Sequence, residues 1–197
     1  MSQSIPGLKS ELRRQLRAGS RAKTPVERAL ASEQIRQRLR KQEIWQKAQA
    51  VLFYTPLAEE PDIWPLAAEA LASGKQVALP RYSAAEDIYT VRAVQDLSHL
   101  RVARFGILEP NEASPVFNVN HLDMALVPGI GFDFSGHRLG RGKGYYDKLL
   151  AQVPGFKCGV AFDWQVTGEI PTEPHDVWLN CILTPTLWQE VAGRARF

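Results

Sequence analysis

Short apolar runs alternate along the chain with segments in which apolar residues recur at helical spacing. The apolar runs lie at residues 50–54, 76–80, 124–128, 157–162 and 177–184. Continuous apolar runs of this length are typical of parallel strands that are buried on both faces. We therefore predict a single α/β domain over residues 1–197, with three layers and a mostly parallel central sheet. Residues 88–94 alternate in polarity and predict one further extended segment.

The first predicted helix covers residues 8–18 and carries two different faces. Three leucines recur at four-residue spacing and predict the face that packs on the domain: Leu8, Leu12 and Leu16. Three cations recur at the same spacing beside them: Lys9, Arg13 and Arg17. The cationic stripe either is solvated or faces an anionic ligand, and the spacing alone leaves both interpretations open.

Two further helices have clear boundary signals. Thr24 and Glu27 have the spacing of a capping box, and Pro25 between them fits the first helical position. This helix is expected to run to about Lys41. Residues 63–73 predict another helix, with Gly74 as its C-cap.

The segment from Gly136 to Asp147, GHRLGRGKGYYD, concentrates most of the candidate chemistry. It contains four glycines, three cations (Arg138, Arg141 and Lys143) and the pair Tyr145–Tyr146, between an apolar strand and a predicted helix. Glycines allow several backbone N–H groups to point into one concavity, and a following helix adds its unpaired N-terminal donors. The segment therefore predicts an anion site of polyphosphate type; the alternative is a solvated surface loop. It matches neither the P-loop nor the dinucleotide fingerprint.

Acidic and histidine side chains supply the remaining candidates. Glu59 and Glu60 follow the first predicted strand, where open α/β sheets bind ligands. Asp176 and its neighbour His175 lie between the last two strands. His137, inside the glycine-rich segment, is either an acid/base group or a polar residue that fills a turn.

Composition and charge narrow the range of partners. The chain has 197 residues and a net charge of +3, but residues 1–47 carry 12 Lys and Arg against 4 Asp and Glu, a net +8, and the remainder carries −5. A basic segment can indicate nucleic-acid binding, yet this one has a single aromatic residue and no known nucleic-acid motif. No apolar run approaches membrane-spanning length and no signal-peptide pattern is present. We expect a cytoplasmic monomer, with Cys158 and Cys181 as buried free thiols and no nucleic-acid or membrane partner.

The segment VPGIGFDFSGHRLGRGKGYYDKLL closely resembles the signature of 5-formyltetrahydrofolate cyclo-ligases, also called 5,10-methenyltetrahydrofolate synthetases. Three other stretches fit the same family in the same order: KSELRR, FYTPLAEEPD and IPTEPHDVWLNCILTP. The resemblance implies a Rossmann-like α/β fold related to sugar-phosphate isomerases and CoA transferases. It also implies the ATP- and Mg²⁺-dependent conversion of 5-formyltetrahydrofolate to 5,10-methenyltetrahydrofolate, with ADP and phosphate as the other products, through a phosphorylated formyl group.

The resemblance also implies residue roles. The expected ATP contacts are Lys9, Arg13, Arg138, Gly140, Arg141, Gly142, Lys143, Gly144, Tyr145 and Tyr146. The expected folate contacts are Tyr54, Glu60, Arg141, Gly142, Lys143, Gly144 and Tyr145. Arg141 and Lys143 are expected to be catalytic, and Asp147 and Asp176 to bind magnesium. Glu60 is preferred over Glu59 as the pterin-binding carboxylate, but a one-residue shift remains open.

One alternative stays open at this stage. Another phosphate-binding enzyme on the same sheet, of the sugar-phosphate isomerase or CoA-transferase type, would also need a catalytic carboxylate. Activity without ATP would favour such an enzyme, whereas the number of cations in the glycine-rich segment favours ATP.

Overall fold

The computed structural model describes residues 4–103 and 106–193. The helices are α1 (Ile5–Arg21), α2 (Pro25–Arg40), α3 (Glu43–Lys47), α4 (Trp64–Ala72) and α5 (Tyr145–Leu150). The strands are β1 (Ala50–Leu52), β2 (Gln76–Ser83), β3 (Ile88–Val94), β4 (Arg101–Val102), β5 (Leu108–Glu109), β6 (Met124–Val127), β7 (Gly131–Phe132), β8 (Arg138–Leu139), β9 (Phe156–Val160), β10 (Cys181–Leu183) and β11 (Trp188–Glu190). None of the helices in these ranges has the length and apolarity needed to cross a membrane.

A seven-stranded sheet forms the centre of the molecule, in the order β11-β10-β9-β6-β1-β2-β3. The contacts from β10 through β2 are all parallel, and only the two edge strands, β11 and β3, are antiparallel. The predicted α/β domain with a mostly parallel sheet is thus confirmed. The two remaining strand pairs, β4–β5 and β7–β8, are short antiparallel ribbons.

The strand order reverses between β1 and β6. Moving outward from β1 in one direction the chain reaches β2, and in the other it reaches β6, β9 and β10 in turn. In open α/β sheets, the connections that leave the carboxyl ends of strands on either side of such a reversal diverge and leave a crevice. The loops after β1 and β6 are the acidic loop and the glycine-rich segment, so the topology brings these two sequence features together.

Both faces of the sheet are buried, as continuous apolar strands require. Val51 belongs to the core cluster that includes Ile35 and Leu39 of α2, whereas the next residue, Leu52, belongs to the cluster that includes Leu149 of α5. The domain therefore has three layers, with α2 and α4 on one face and α5 on the other.

The predicted helix boundaries hold where local chemistry fixes them. Thr24 Oγ1 accepts a hydrogen bond from the Glu27 N–H, and the Glu27 carboxylate accepts one from the Thr24 N–H, so the capping box of α2 is complete. Gly74 follows α4 with a positive φ of 81°, which favours glycine at this position.

The last predicted parallel strand is shorter than its apolar run. Only residues 181–183 of the run 177–184 pair as a strand. The Leu179 N–H instead donates to Gly136 O, which fastens this part of the run to the β7–β8 hairpin. An apolar run shows that a segment is buried, but it does not show whether its backbone pairs within the sheet.

Candidate active site

A cavity of about 800 Å³ opens at the crevice between the loops that follow β1 and β6. Every residue expected to bind ATP, folate or magnesium lines it: Lys9, Arg13, Tyr54, Glu60, Arg138, Gly140, Arg141, Gly142, Lys143, Gly144, Tyr145, Tyr146, Asp147 and Asp176. These residues come from α1, from the loop after β1, from the glycine-rich segment and from the loop before β10. The chain thus brings its two ends and its centre to one site.

The glycine-rich segment is not a single loop. Its first part is the tip and second strand of the β7–β8 hairpin, so residues 140–144 alone form the connection from that strand to α5. Gly142 and Gly144 have positive φ values of 101° and 69°, a conformation that side chains with a Cβ rarely adopt. The Arg13 Nε donates to Gly140 O at 2.8 Å, so α1 is tied directly to this segment.

Arg138 differs from the other two cations of the segment because its side chain is buried. Its guanidinium donates to Asp147 Oδ1 at 2.9 Å and lies over the Tyr146 ring at 5.6 Å. Arg138 lines the cavity, but Asp147 already neutralises its charge in this structure, so its role as an ATP contact stays a prediction. Arg138 is buried because it lies in strand β8 of the β7–β8 hairpin. The glycine spacing of the segment does not indicate that strand.

Arg141 connects the glycine-rich segment to the acidic loop. One guanidinium nitrogen donates to Glu59 at 3.1 Å and to Glu60 at 3.0 Å. The exposed Lys143, in contrast, makes no hydrogen bond or ion pair with the described part of the chain. Lys143 is thus the cation of this segment whose charge is available to a ligand.

The two acidic residues after β1 are in different environments. Glu60 is only 7% exposed and accepts a hydrogen bond from the Leu57 N–H, whereas the Glu59 side chain is 49% exposed. Burial raises the pKa of Glu60, although Arg141 acts in the opposite direction. Glu60 is therefore the carboxylate that is held inside the cavity.

Lys9 is buried and joins the start of the chain to the loop before β10. Its Nζ lies 2.6 Å from Asp176 Oδ2 and 2.9 Å from Glu173 Oε2. Burial acts to lower the pKa of Lys9, but the hydrogen bonds to the two carboxylates outweigh it, so the pKa is raised. Burial likewise acts to raise the pKa of Asp176, but Lys9 and the Glu173 N–H lower it overall. Lys9, the first cation of the stripe on α1, is thus paired with two carboxylates.

The carboxylate oxygens beside Lys9 form the group best suited to a metal ion. Ligand atoms of Glu173, His175 and Asp176 lie within 4.8 Å of one another. Two of these residues offer the oxygen ligands that magnesium prefers. Asp147, the other expected ligand, is not part of this group; its Oδ1 is occupied by Arg138. Glu173 was assigned no role from the sequence, although it lies three residues before Asp176.

Tyr54 and His137 have structural partners. Tyr54 is 1% exposed and its hydroxyl donates to Pro61 O, so only part of its ring faces the cavity. His137 Nδ1 lies 2.8 Å from the Asp133 carboxylate, and its ring packs on Trp178 at 4.0 Å. His137 is not among the cavity-lining residues, so the interpretation as a residue that fills a turn describes its position better.

The cavity lining also includes polar residues that were not identified from the sequence, among them Tyr82, Tyr89 and Glu109. Tyr82 and Tyr89 pack with Tyr145 and Tyr146 into an aromatic cluster. Burial raises the pKa of Glu109. The β2–β3 hairpin brings the two tyrosines to the site because its strands extend past the sheet edge, and only the polarity alternation in residues 88–94 hinted at this.

Comparison with known proteins gives a consistent result. A sequence model described as the 5-formyltetrahydrofolate cyclo-ligase family matches residues 6–185. The chain is 33% identical over 188 residues to the 5-formyltetrahydrofolate cyclo-ligase of Mycolicibacterium smegmatis, covering 91% of this chain and 95% of that one. It is 30% identical to the Escherichia coli K12 protein of the same name, with 88% and 99% covered. The NMR structure of Aquifex aeolicus 5,10-methenyltetrahydrofolate synthetase superposes with a TM-score of 0.85 at 33% identity, covering 96% of both chains.

Proposed function

The chain belongs to the 5-formyltetrahydrofolate cyclo-ligase family, and we propose that it uses ATP and magnesium to cyclise 5-formyltetrahydrofolate to 5,10-methenyltetrahydrofolate, releasing ADP and phosphate. The observation that carries this proposal is the composition of the cavity. One part holds glycine amides and the unpaired Lys143, which suit phosphates; another holds the buried Glu60 and a tyrosine cluster, which suit a pterin.

The phosphate-binding part is assigned to the glycine-rich segment and α1. The N–H groups of Gly140, Gly142 and Gly144 supply uncharged donors, and Lys143 supplies charge. Arg141 reaches the same region, and its exposed contact with Glu59 is the one it can exchange for a phosphate oxygen at little cost. Phosphoryl transfer needs positioning and charge neutralisation more than covalent help, and these residues supply both.

The proposed reaction has two steps. The formyl oxygen attacks the γ-phosphorus, and the bond from that phosphorus to the β–γ bridging oxygen breaks to release ADP. Nitrogen 10 of the folate then attacks the activated formyl carbon, loses its proton, and the formyl carbon–oxygen bond breaks to release phosphate. Arg141 and Lys143 stabilise the charge on the phosphoryl group while it moves between the two oxygens.

Glu60 is assigned to the donor edge of the pterin. A carboxylate accepts two hydrogen bonds from an amino group and a neighbouring ring N–H. Burial of Glu60 makes this recognition strong because water competes poorly in the cavity. The exposed Glu59 lacks this advantage and serves instead as a second partner of Arg141.

Asp176 and Glu173 would hold the magnesium ion, and Asp147, which lines the same cavity, would be the further carboxylate available to it. The donor set fits because magnesium takes one or two carboxylates together with phosphate oxygens and water. When bound, the ion neutralises phosphate charge. In the structure, the positive charge of Lys9 lies beside the carboxylates of Glu173 and Asp176 and offsets the repulsion between them.

The experiment that tests the proposal combines purified protein, ATP, magnesium and 5-formyltetrahydrofolate. We expect the near-ultraviolet absorbance of the methenyl product to rise, with one ADP formed for each product. Omission of ATP should abolish the rise. A protein that forms no methenyl product would refute the proposal, and turnover without ATP would favour the isomerase or transferase alternative.

A further inference from the structure

Four tyrosines form one wall of the cavity and come from three different elements. Tyr82 lies one residue before the end of β2, Tyr89 is the second residue of β3, and Tyr145 and Tyr146 begin α5. Adjacent ring centroids lie 5.4 to 6.1 Å apart, in tilted or edge-to-face arrangements. Such packing presents both ring faces and ring edges to a flat aromatic ligand. The folate substrate of the proposed function contains two such groups, the pterin and the aminobenzoyl ring.

Asp87 binds two of these tyrosines from outside the cavity. The hydroxyls of Tyr82 and Tyr145 both donate to Asp87 Oδ1, each at 2.6 Å. Asp87 lies in the turn between β2 and β3 and does not line the cavity itself. Its carboxylate thus joins the sheet edge to the first residue of α5, 58 positions away in the chain.

The backbone at Asp87 is unusual for a residue with a side chain. Its φ is 53°, and among the residues that the structure describes no other non-glycine residue has a positive φ. Aspartate tolerates this left-handed conformation better than most residues, but glycine adopts it without cost. Backbone strain of this kind persists where surrounding contacts hold it and is concentrated at functional sites. Here the contacts are the two tyrosine hydroxyls.

Tyr145 needs an external tie because of its position. It follows Gly144, which has a positive φ of 69°, and it starts a helix of only six residues. Neither feature fixes the ring. The hydrogen bonds with Asp87 raise the pKa of Tyr145 and lower that of Asp87, as expected when a neutral phenol donates to a carboxylate.

We propose that Asp87 is a positioning residue that holds the rings of Tyr145 and Tyr82 as a preformed aromatic wall for the folate. This inference rests on the proposed function. A ring that is already ordered loses less conformational freedom when the substrate binds, so the gain is in folate affinity. The phosphate groups of ATP contact the glycine-rich segment and gain little from it.

The main test is Asp87→Gly, because glycine keeps the left-handed turn while it removes the carboxylate. We expect the KM for 5-formyltetrahydrofolate to rise about tenfold while the KM for ATP changes less than about threefold. Asp87→Asn keeps an acceptor and should restore much of the loss. Glu86→Gly, one residue earlier in the same turn, is the matched control and should behave like the wild type.

A second measurement does not depend on turnover. In an equilibrium titration of the protein with 5-formyltetrahydrofolate alone, Asp87→Gly should bind about tenfold more weakly than the wild type, and Glu86→Gly should bind as the wild type does. An unchanged folate KM in Asp87→Gly, an equal rise in both KM values, or an unchanged folate affinity would each overturn the inference. A wild-type protein without ATP-dependent turnover would instead refute the proposed function, and the folate titration would still test the role of Asp87.

Discussion

Lys143 differs from Lys9, Arg138 and Arg141, which also line the cavity, because no carboxylate in the described part of the chain forms an ion pair with it. Arg138 is neutralised by Asp147, Arg141 by Glu59 and Glu60, and Lys9 by Asp176 and Glu173. An unpaired ammonium group costs little when it is exposed to water. It then contributes its full charge to a phosphate that excludes the water. At the scale of single residues, Lys143 is therefore the most direct test of the phosphate-binding part of the cavity.

Lys143→Ala should leave stability unchanged and reduce kcat about 100-fold or more, on the scale of losing one preorganised stabilising group. The matched control is Lys148→Ala, which removes an exposed lysine from α5 outside the cavity. Steady-state kinetics and thermal unfolding of both variants would check this. Comparable turnover in the two variants would contradict the role of Lys143.

Glu60→Gln should weaken binding of 5-formyltetrahydrofolate about tenfold, because a hydrogen bond to a buried carboxylate is stronger than one to an amide. Glu59→Gln should change binding little, since that side chain is half exposed. Equilibrium titration with the folate alone, without ATP, separates the two. If Glu59→Gln had the larger effect, the alternative with a one-residue shift would be correct.

Burial also gives Glu60 a pH signature. Its pKa is raised in the folded protein, so the folded state holds a proton that the unfolded state has released, and stability falls as the pH rises through this range. Glu60→Gln removes this dependence. Relative to the wild type, the variant should therefore be more stable at neutral pH than it is near pH 4. Denaturant titration of both proteins at the two pH values would measure the difference in their free energies of unfolding.

At the scale of elements, α1 shows how far a helical pattern can be interpreted. The leucine spacing predicted a packed face correctly for Leu12 and Leu16, which contact the small core formed by Ile130, Leu139 and Ile170. The prediction was wrong for Leu8, which is exposed because it lies in the first turn of the helix, before this contact begins. The spacing did not predict that Lys9, beside this face, is 6% exposed. Its burial depends on two acids more than 160 positions away, and no local pattern contains that information.

Lys9→Met should destabilise the protein by about 2 kcal/mol at pH 7, because it leaves two partly buried carboxylates without their cation. The pKa of Asp176 is lowered in the folded state, so the stabilisation is present above the ordinary carboxyl pKa and is lost as the pH falls through the lowered value. The difference between variant and wild type should therefore disappear in strong acid.

Denaturant unfolding at several pH values would measure this difference. Arg14→Ala is a suitable control from the same helix, because Arg14 is exposed and pairs with Glu11 on α1. It should have no measurable effect at any of these pH values. A Lys9→Met variant as stable as the wild type at pH 7 would contradict the account of this ion pair.

At the scale of the whole molecule, the sequence predicted the class of the fold but not the order of its strands. Alternating apolar runs and helical segments require helices packed on a parallel sheet. The reversal between β1 and β6 depends on which side each crossover takes, and the apolar pattern is the same for either choice. The finer relation to sugar-phosphate isomerase and CoA-transferase folds stays a prediction, as do the monomeric state and the cytoplasmic location.

The candidate site was predicted well where a motif carried it and poorly where the fold created it. The glycine-rich segment and the acidic loop were identified because their residue types are unusual for their positions. Tyr82 and Tyr89 line the cavity, and Asp87 binds the Tyr82 hydroxyl from outside it, because the β2–β3 hairpin extends past the neighbouring strand of the sheet. The contributions of such residues come from tertiary position, which hydrophobic patterning does not encode.

In the proposed reaction, ATP phosphorylates the formyl oxygen of the folate inside this cavity. This step can be followed with 5-formyltetrahydrofolate that carries oxygen-18 in the formyl group, by mass spectrometry of the released phosphate. We expect each methenyl product to be accompanied by one phosphate that carries the labelled oxygen. Unlabelled phosphate, with the label released to water, would contradict this step.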